Sequence, residues 1–283
     1  MAKFAWAFAL LLAAFGSRAQ PDIPMTVADA DWPGTISLQV DARDTLRRIQ
    51  RVQERLPVRP GPLVLWYPKW IPGTHSPTGP INQFAGLVVR GNGQRIAWTR
   101  DDVDMYAFHL DVPPGVDAID VEFQYLSPTA KDQGRVAMTQ DMLDLQWHRV
   151  LLYPAGYDTS RIRVEPSLTL PLVWQSASAL QVAARDGGTV RYAPVSVTTL
   201  VDSPVYAGLN FKRIALDADA KQPVFLDAFA DAPEDLEVSA SVLAAHRALV
   251  READRVFGSR PFAHYDFLLA ASDTFSRIGL EHR

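Results

Sequence analysis

Cysteine is absent from all 283 residues. That excludes disulfide staples, thiolate nucleophiles, thiolate metal ligands and the acylated cysteine of a lipoprotein anchor. Stability must therefore come from core burial. A charge excess of one sign is missing too: 28 Lys and Arg stand against 32 Asp and Glu. Without a clustered positive field the chain is expected to bind neither nucleic acid nor, once its leader is removed, a membrane. Histidine is scarce. None of the six, His75, His109, His148, His246, His264 and His282, pairs at i, i+4 around a glutamate, so there is no HExxH zinc helix. His75, His109 and His148, scattered over β segments, read as satisfied or exposed side chains rather than metal ligands. A G-x-S-x-G elbow, a P-loop and a G-x-G-x-x-G fingerprint are all lacking. Ser76 and Ser203 each precede a proline and read as turn residues, and Asp101-Asp102 reads as a solvated polar turn. No complete catalytic set stands in the sequence, and the chain is expected to bind no metal of its own.

Long hydrophobic runs are limited to one. Lys3 precedes the apolar stretch Phe4 to Phe15, and Ser17-Arg18-Ala19 puts small residues at the −3 and −1 positions. This pattern predicts a signal peptide over residues 1–19, cut before Gln20, and hence export to the periplasm or outside the cell. The run is too short for the roughly 20 residues that span a bilayer.

From about residue 22 to 230 the chain reads as β-structure, with short apolar or alternating runs between Pro, Gly, Asn and Asp. Expected strands are 35–40, 63–67, 86–90, 118–125, 161–165, 189–192 and 213–216. In the fourth, Asp120, Glu122 and Gln124 alternate with Ile119, Val121, Phe123 and Tyr125, which predicts one wet and one buried face. Gly91-Asn-Gly93 predicts a hairpin turn, because Asn-Gly tolerates positive φ. Many short strands with frequent turns point to a mainly β fold, an amino-terminal β-sandwich over 20–230. The texture changes at Asp231-Ala-Pro233, a helix-start signal. Val242, Leu249, Val256 and Leu243, Val250, Phe257 then recur every seven residues, Gly258 is the expected cap, and 265–270 is an apolar run suited to a buried strand. Helix and strand together make an α/β opening, so residues 231–283 are expected to be the truncated beginning of a second domain, too small to be stable alone.

Two stretches stand out. Trp66 to His75 holds two Trp, two Pro and a Gly, a composition that serves either as a packed plug or as a ligand-binding loop; the plug is the commoner use. The other is Gly279-Leu-Glu-His282. These residues, with Trp70-Ile-Pro-Gly73, Leu200-Val-Asp-Ser-Pro204, Phe257-Gly258, Pro261-Phe262 and Tyr265-Asp-Phe267, resemble in order and spacing the glycyl aminopeptidases, metallopeptidase family sixty-one. The resemblance spans essentially all of the mature chain. It implies an amino-terminal β-sandwich before a thermolysin-like zinc domain whose HExxH helix follows the Gly-Leu-Glu-His segment. This chain would then be an amino-terminal fragment of an exported zinc aminopeptidase, inactive as given, with zinc belonging to the full-length enzyme. The resemblance further implies substrate-binding roles for Gly279, Leu280, Glu281 and His282. Glu281 would hold the free α-ammonium of Gly- or Ala-initiated peptides, Gly279 would allow close backbone approach on an edge strand, and His282 would orient the substrate. Ile278 departs from the family's commoner glycine. A free-standing sandwich that binds a peptide or glycan through the Trp66–His75 loop is the alternative.

Overall fold

A computed structural model describes residues 22–24, 26–275 and 279–282. The expected leader over 1–19 and Ile278 lie outside the described residues. The fold is mainly β. One large sheet runs in the order Val182–Asp186, Thr189–Tyr192, Arg163–Thr169, Thr35–Asp44, Ile49–Pro57, Ala118–Leu126, Phe84–Gly91 and Gln94–Ile96, with Val195–Ser196 also on Arg163–Thr169. A second sheet, Tyr153–Pro154, Gly61–Trp66, Ala107–Val112 and Trp98–Arg100, packs on it. Ile36, Leu38, Val40, Val52, Val121 and Phe123 of the first share one buried core with Leu65, Phe108 and Leu110 of the second. Phe84 ties the layers, its ring 4.6 Å from Phe123 and 5.3 Å from Phe108.

The alternation read in Ala118–Leu126 is realised: Ile119, Val121, Phe123 and Tyr125 are buried and Glu122 is exposed. The hairpin is realised as well. Asn92 and Gly93 both take positive φ, 49° and 78°, and Gly91 pairs Gln94 across the turn. Pro166, which cannot donate to a ladder, sits in a gap: Val195–Ser196 pairs residues 163 and 164 of its strand, and Thr189–Tyr192 pairs 167 to 169. Thr35–Asp44 has an antiparallel neighbour, Ile49–Pro57, on one side and a parallel one, Arg163–Thr169, on the other.

Two smaller three-stranded sheets complete the chain. Gln175–Ala177, Val205–Gly208 and Met142–Leu145 form one. In the other, Asn210–Asp217 pairs antiparallel with Val224–Ala230, which pairs parallel with Tyr265–Ala271 through the crossover helix Ala240–Phe257. This last sheet draws strands from both sides of residue 230. The helix starts later than the Asp231-Ala-Pro233 signal predicts. Pro233–Leu236 makes a 3-10 turn, and the true cap is Ser239, whose Oγ accepts from the Val242 N–H at 3.3 Å. Gly258 caps the far end in the left-handed conformation, φ 66°. Of the two seven-residue stripes, Leu243 and Val250 pack on the sheet with Leu216, Leu226 and Phe267, whereas Val242, Leu249, Val256 and Phe257 stay exposed.

A buried acid sits in this sheet. Asp227 is fully buried, and neither of its carboxylate oxygens has a hydrogen-bond partner among the described residues. The Arg213 guanidinium lies 3.6 Å from it and is drawn at 2.5 Å to Asp266, which also meets His264. Burial pushes Asp227 up to about 7; Arg213 opposes the shift and the Asp266 charge adds to it. A raised folded-state pKa means that the stabilising protonated form is fully present below the unfolded value near 4 and is lost as pH climbs through about 7. Between pH 5 and 8 the melting temperature of Asp227→Asn should therefore gain on that of the parent by a few degrees, roughly 2 kcal/mol. A pH-independent gap would refute the assignment.

Candidate functional site

Strand Gly61–Trp66 delivers the aromatic loop to one end of the sandwich, and the loop is fastened there. The buried Tyr67 hydroxyl donates to the Arg149 carbonyl at 3.1 Å, and Ile71 is buried. Thr74 folds back on the Ile71 carbonyl through both its N–H and its hydroxyl. Lys69 reaches Asp104 at 2.5 Å and lies over the Tyr106 ring. The plug reading thus fits Tyr67 and Ile71 but not Trp70, which is 65% exposed.

Gly279–His282 lies against this loop and forms no strand ladder among the described residues. Leu280 comes within 3.6 Å, and the Glu281 carbonyl within 3.8 Å, of where a Gly73 side chain would begin. His282 Nδ1 donates to Asp202 Oδ1 at 3.1 Å. Three separate stretches of the sequence pattern, Trp70–Gly73, Leu200–Pro204 and Gly279–His282, therefore meet. Glu281 is exposed, and no described atom lies within 4 Å of where a Gly279 side chain would start, so the peptide backbone there is open to approach.

The meeting point opens on a cavity of about 530 Å³. Its wall includes Ile71, Pro72, Tyr106, Tyr125, Gln83, Gln146, Arg135, His148, Arg149, Leu280 and His282. His148 is buried, and burial first, then the positive charges of Arg149, Arg135 and His282, holds its pKa well below the usual imidazole range. Its Nδ1 has no partner among the described residues. Asp144, buried beneath the wall, accepts from Gln146 Nε2 at 2.8 Å and lies 3.3 Å from Arg135 and 3.7 Å from Arg149. Sequence reasoning missed Arg135, Asp144 and Arg149. The signal that could have found two of them is a charge embedded in an apolar run, Met142-Leu-Asp-Leu-Gln-Trp-His-Arg-Val150, since buried charges need a purpose-built partner.

Of the three histidines expected to be satisfied or exposed, His148 departs, being buried with an unpartnered Nδ1 among the described residues, and the other two conform. His75 is exposed, and buried His109 is paired with Asp101 at 2.8 Å. Asp101 is more than a solvated turn residue: it also accepts the N–H groups of Val103 and Asp104, and these bonds hold its pKa down. Among the described residues no three His, Cys, Asp or Glu side chains come together as a metal site. The cavity wall is cationic, amide- and phenol-bearing, with Arg135, Arg149, Gln83, Gln146, Tyr106 and Tyr125 in its lining.

Comparison with known proteins gives one family. The model of the peptidase M61 N-terminal domain matches residues 37–209. Among solved structures, an aminopeptidase N family protein from Idiomarina loihiensis superimposes with a TM-score of 0.69 at 18% identity, over 88% of this chain and 41% of that one. A mutant M1 zinc metallopeptidase from Deinococcus radiodurans, bound to a Tyr-Ser-Ala substrate, gives a TM-score of 0.46 at 12% identity, over 86% and 58% of the two chains. The chain thus spans less than half the length of the Idiomarina structure. No curated protein matches.

Proposed function

This chain belongs to the peptidase M61 family through its N-terminal domain, and from that premise we propose that it is the amino-terminal part of an exported zinc aminopeptidase. The observation that supports the reading is the docking of Gly279–His282 on the Trp70–Gly73 loop and on Asp202, at the rim of a cavity able to hold a short peptide. In this reading Glu281 receives the substrate α-ammonium, a charge-assisted bond that fixes cleavage one residue from the amino end. Gly279 leaves room for the substrate backbone, Leu280 packs on the loop, and His282, oriented by Asp202, positions the chain. The substrates are peptides that begin with Gly or Ala, and residues 1–19 direct the protein to the periplasm or beyond.

In this reading zinc belongs to the longer protein, and none of the roles above depends on it. We place the start of the catalytic domain at the sheet that begins with Asn210, just past the family match, rather than at 231. The bare helix stripe, with Leu249 57% and Val256 76% exposed, is the kind of surface that the rest of such a domain covers. The alternative, a free-standing binding module, rests on exposed Trp70, which stands beside the cavity-lining Ile71 and Pro72.

The test compares this 283-residue chain with its extended form on Gly- and Ala-initiated peptides, with zinc and with a chelator. Hydrolysis is expected from the extended form alone and should stop on chelation. Equal, chelator-sensitive turnover by the short chain would sink the reading.

A further inference from the structure

We propose that the Arg135 side of the cavity is a carboxylate-binding site, which receives an acidic group of the same peptide whose amine Glu281 holds. The proposal rests on the peptidase reading and adds to it a second charged anchor at the far end of the substrate.

Arg135 and Arg149 converge on a single carboxylate, Asp144, at 3.3 and 3.7 Å. Arg149 is additionally spent on the Asp144 carbonyl, at 3.1 Å, and on the face of Tyr125. Two guanidinium groups thus share one anion at this wall. No Asp or Glu is among the residues that line the cavity. Arg149 is 4% exposed, so water screens its charge weakly, and a buried, half-paired cation is costly until an anion arrives. Arg135 keeps about a quarter of its side chain open, 26%, and is the more exposed of the two guanidinium groups.

The surrounding polar atoms fit the same ligand. His148 Nδ1 is buried with no partner among the described residues. Gln146 also lines the cavity, its amide nitrogen already bonded to Asp144, and a guanidinium fork matches a carboxylate in plane and spacing. The cavity, about 530 Å³, falls within the roughly 300–1,000 Å³ typical of small-ligand sites. Leu280 and His282, the sequence neighbours of Glu281, line the same cavity as Arg135. In the proposed arrangement one short peptide presents its ammonium to Glu281 and a carboxylate to Arg135. That carboxylate comes from the carboxyl terminus or from an acidic side chain.

Calorimetric titration of this chain tests the site with four probes: Gly-Ala-Ala, its carboxyl-terminal amide, the amide of Gly-Glu-Ala, and N-acetyl-Gly-Ala-Ala. Amidation of Gly-Ala-Ala is expected to weaken binding by about 10-fold or more, the scale of one charge-assisted contact. Arg135→Gln should abolish the difference between acid and amide at an unchanged melting temperature, and Arg135→Lys should restore part of it. Recovered affinity in the Gly-Glu-Ala amide assigns the site to acidic side chains; its absence assigns it to the carboxyl terminus. Equal binding of acid and amide, full discrimination by Arg135→Gln, or no binding of Gly-Ala-Ala at millimolar concentration would overturn the proposal. If N-acetylation costs nothing while amidation still does, the amine anchor fails and the carboxylate site stands.

Discussion

Replacing Trp147 with alanine should cost the fold about 3–5 kcal/mol, the range for a buried aromatic lost from a packed core. Trp147 is completely buried, and its ring meets Tyr192 edge-on at 6.0 Å. It opens the 3-10 turn Trp147–Arg149, whose Val150 N–H returns to the Trp147 carbonyl at 3.1 Å. The cavity left behind would therefore loosen the same turn that sets His148 and Arg149 in the cavity wall. Trp147→Phe should cost much less, because it keeps the ring contact and removes an indole N–H that has no partner among the described residues. Urea midpoints measure both. A loss below about 1 kcal/mol for the alanine variant would mean that the core closes over the gap.

On the proposed aminopeptidase reading, Glu281→Gln in the extended protein should lower kcat/KM on peptides with a free amino terminus by about 100-fold, the loss of one charge-assisted bond to an ammonium. Glu281 is exposed, so the melting temperature should stay put. The informative comparison is with N-acetylated peptides, already poor substrates, on which the variant should do no worse than the parent. An equal loss on both would reassign Glu281 to a role other than amine recognition.

Much of the fold was legible because it rests on local rules. Period-two alternation set the faces of Ala118–Leu126, and Asn92-Gly93 set a hairpin whose backbone needs two positive φ angles. The helix Ala240–Phe257 was legible from its period but not its orientation. Its two adjacent apolar stripes look alike in sequence, and only contact with Leu216 and Leu226 selects the Leu243 and Val250 stripe. The start of that helix was misplaced because Pro233 suits a 3-10 turn as well as an α-helix, while Ser239, an ordinary serine in sequence, does the capping. The site was legible in pieces. The loop at 66–75 and the segment at 279–282 each stood out by composition or by resemblance, but their convergence with Asp202 depends on how distant strands pack. Arg135 and Asp144 belong to no motif, and their pairing exists only once Met142–Leu145 is folded into its sheet.

The strand Thr35–Asp44 gains its first neighbour from the chain just ahead, but its second arrives late: the Ser167 hydroxyl that bonds the Leu38 carbonyl lies 129 residues away. A nascent chain can zip the early antiparallel pair almost at once, yet the other flank stays an open template until the distant strand that carries Ser167 has been made. Pairings of such separation slow folding and leave an edge available to wrong partners meanwhile. Synthesis order thus makes Arg163–Thr169 the latch of the large sheet, and a chain halted before it would be expected to aggregate rather than rest half-folded.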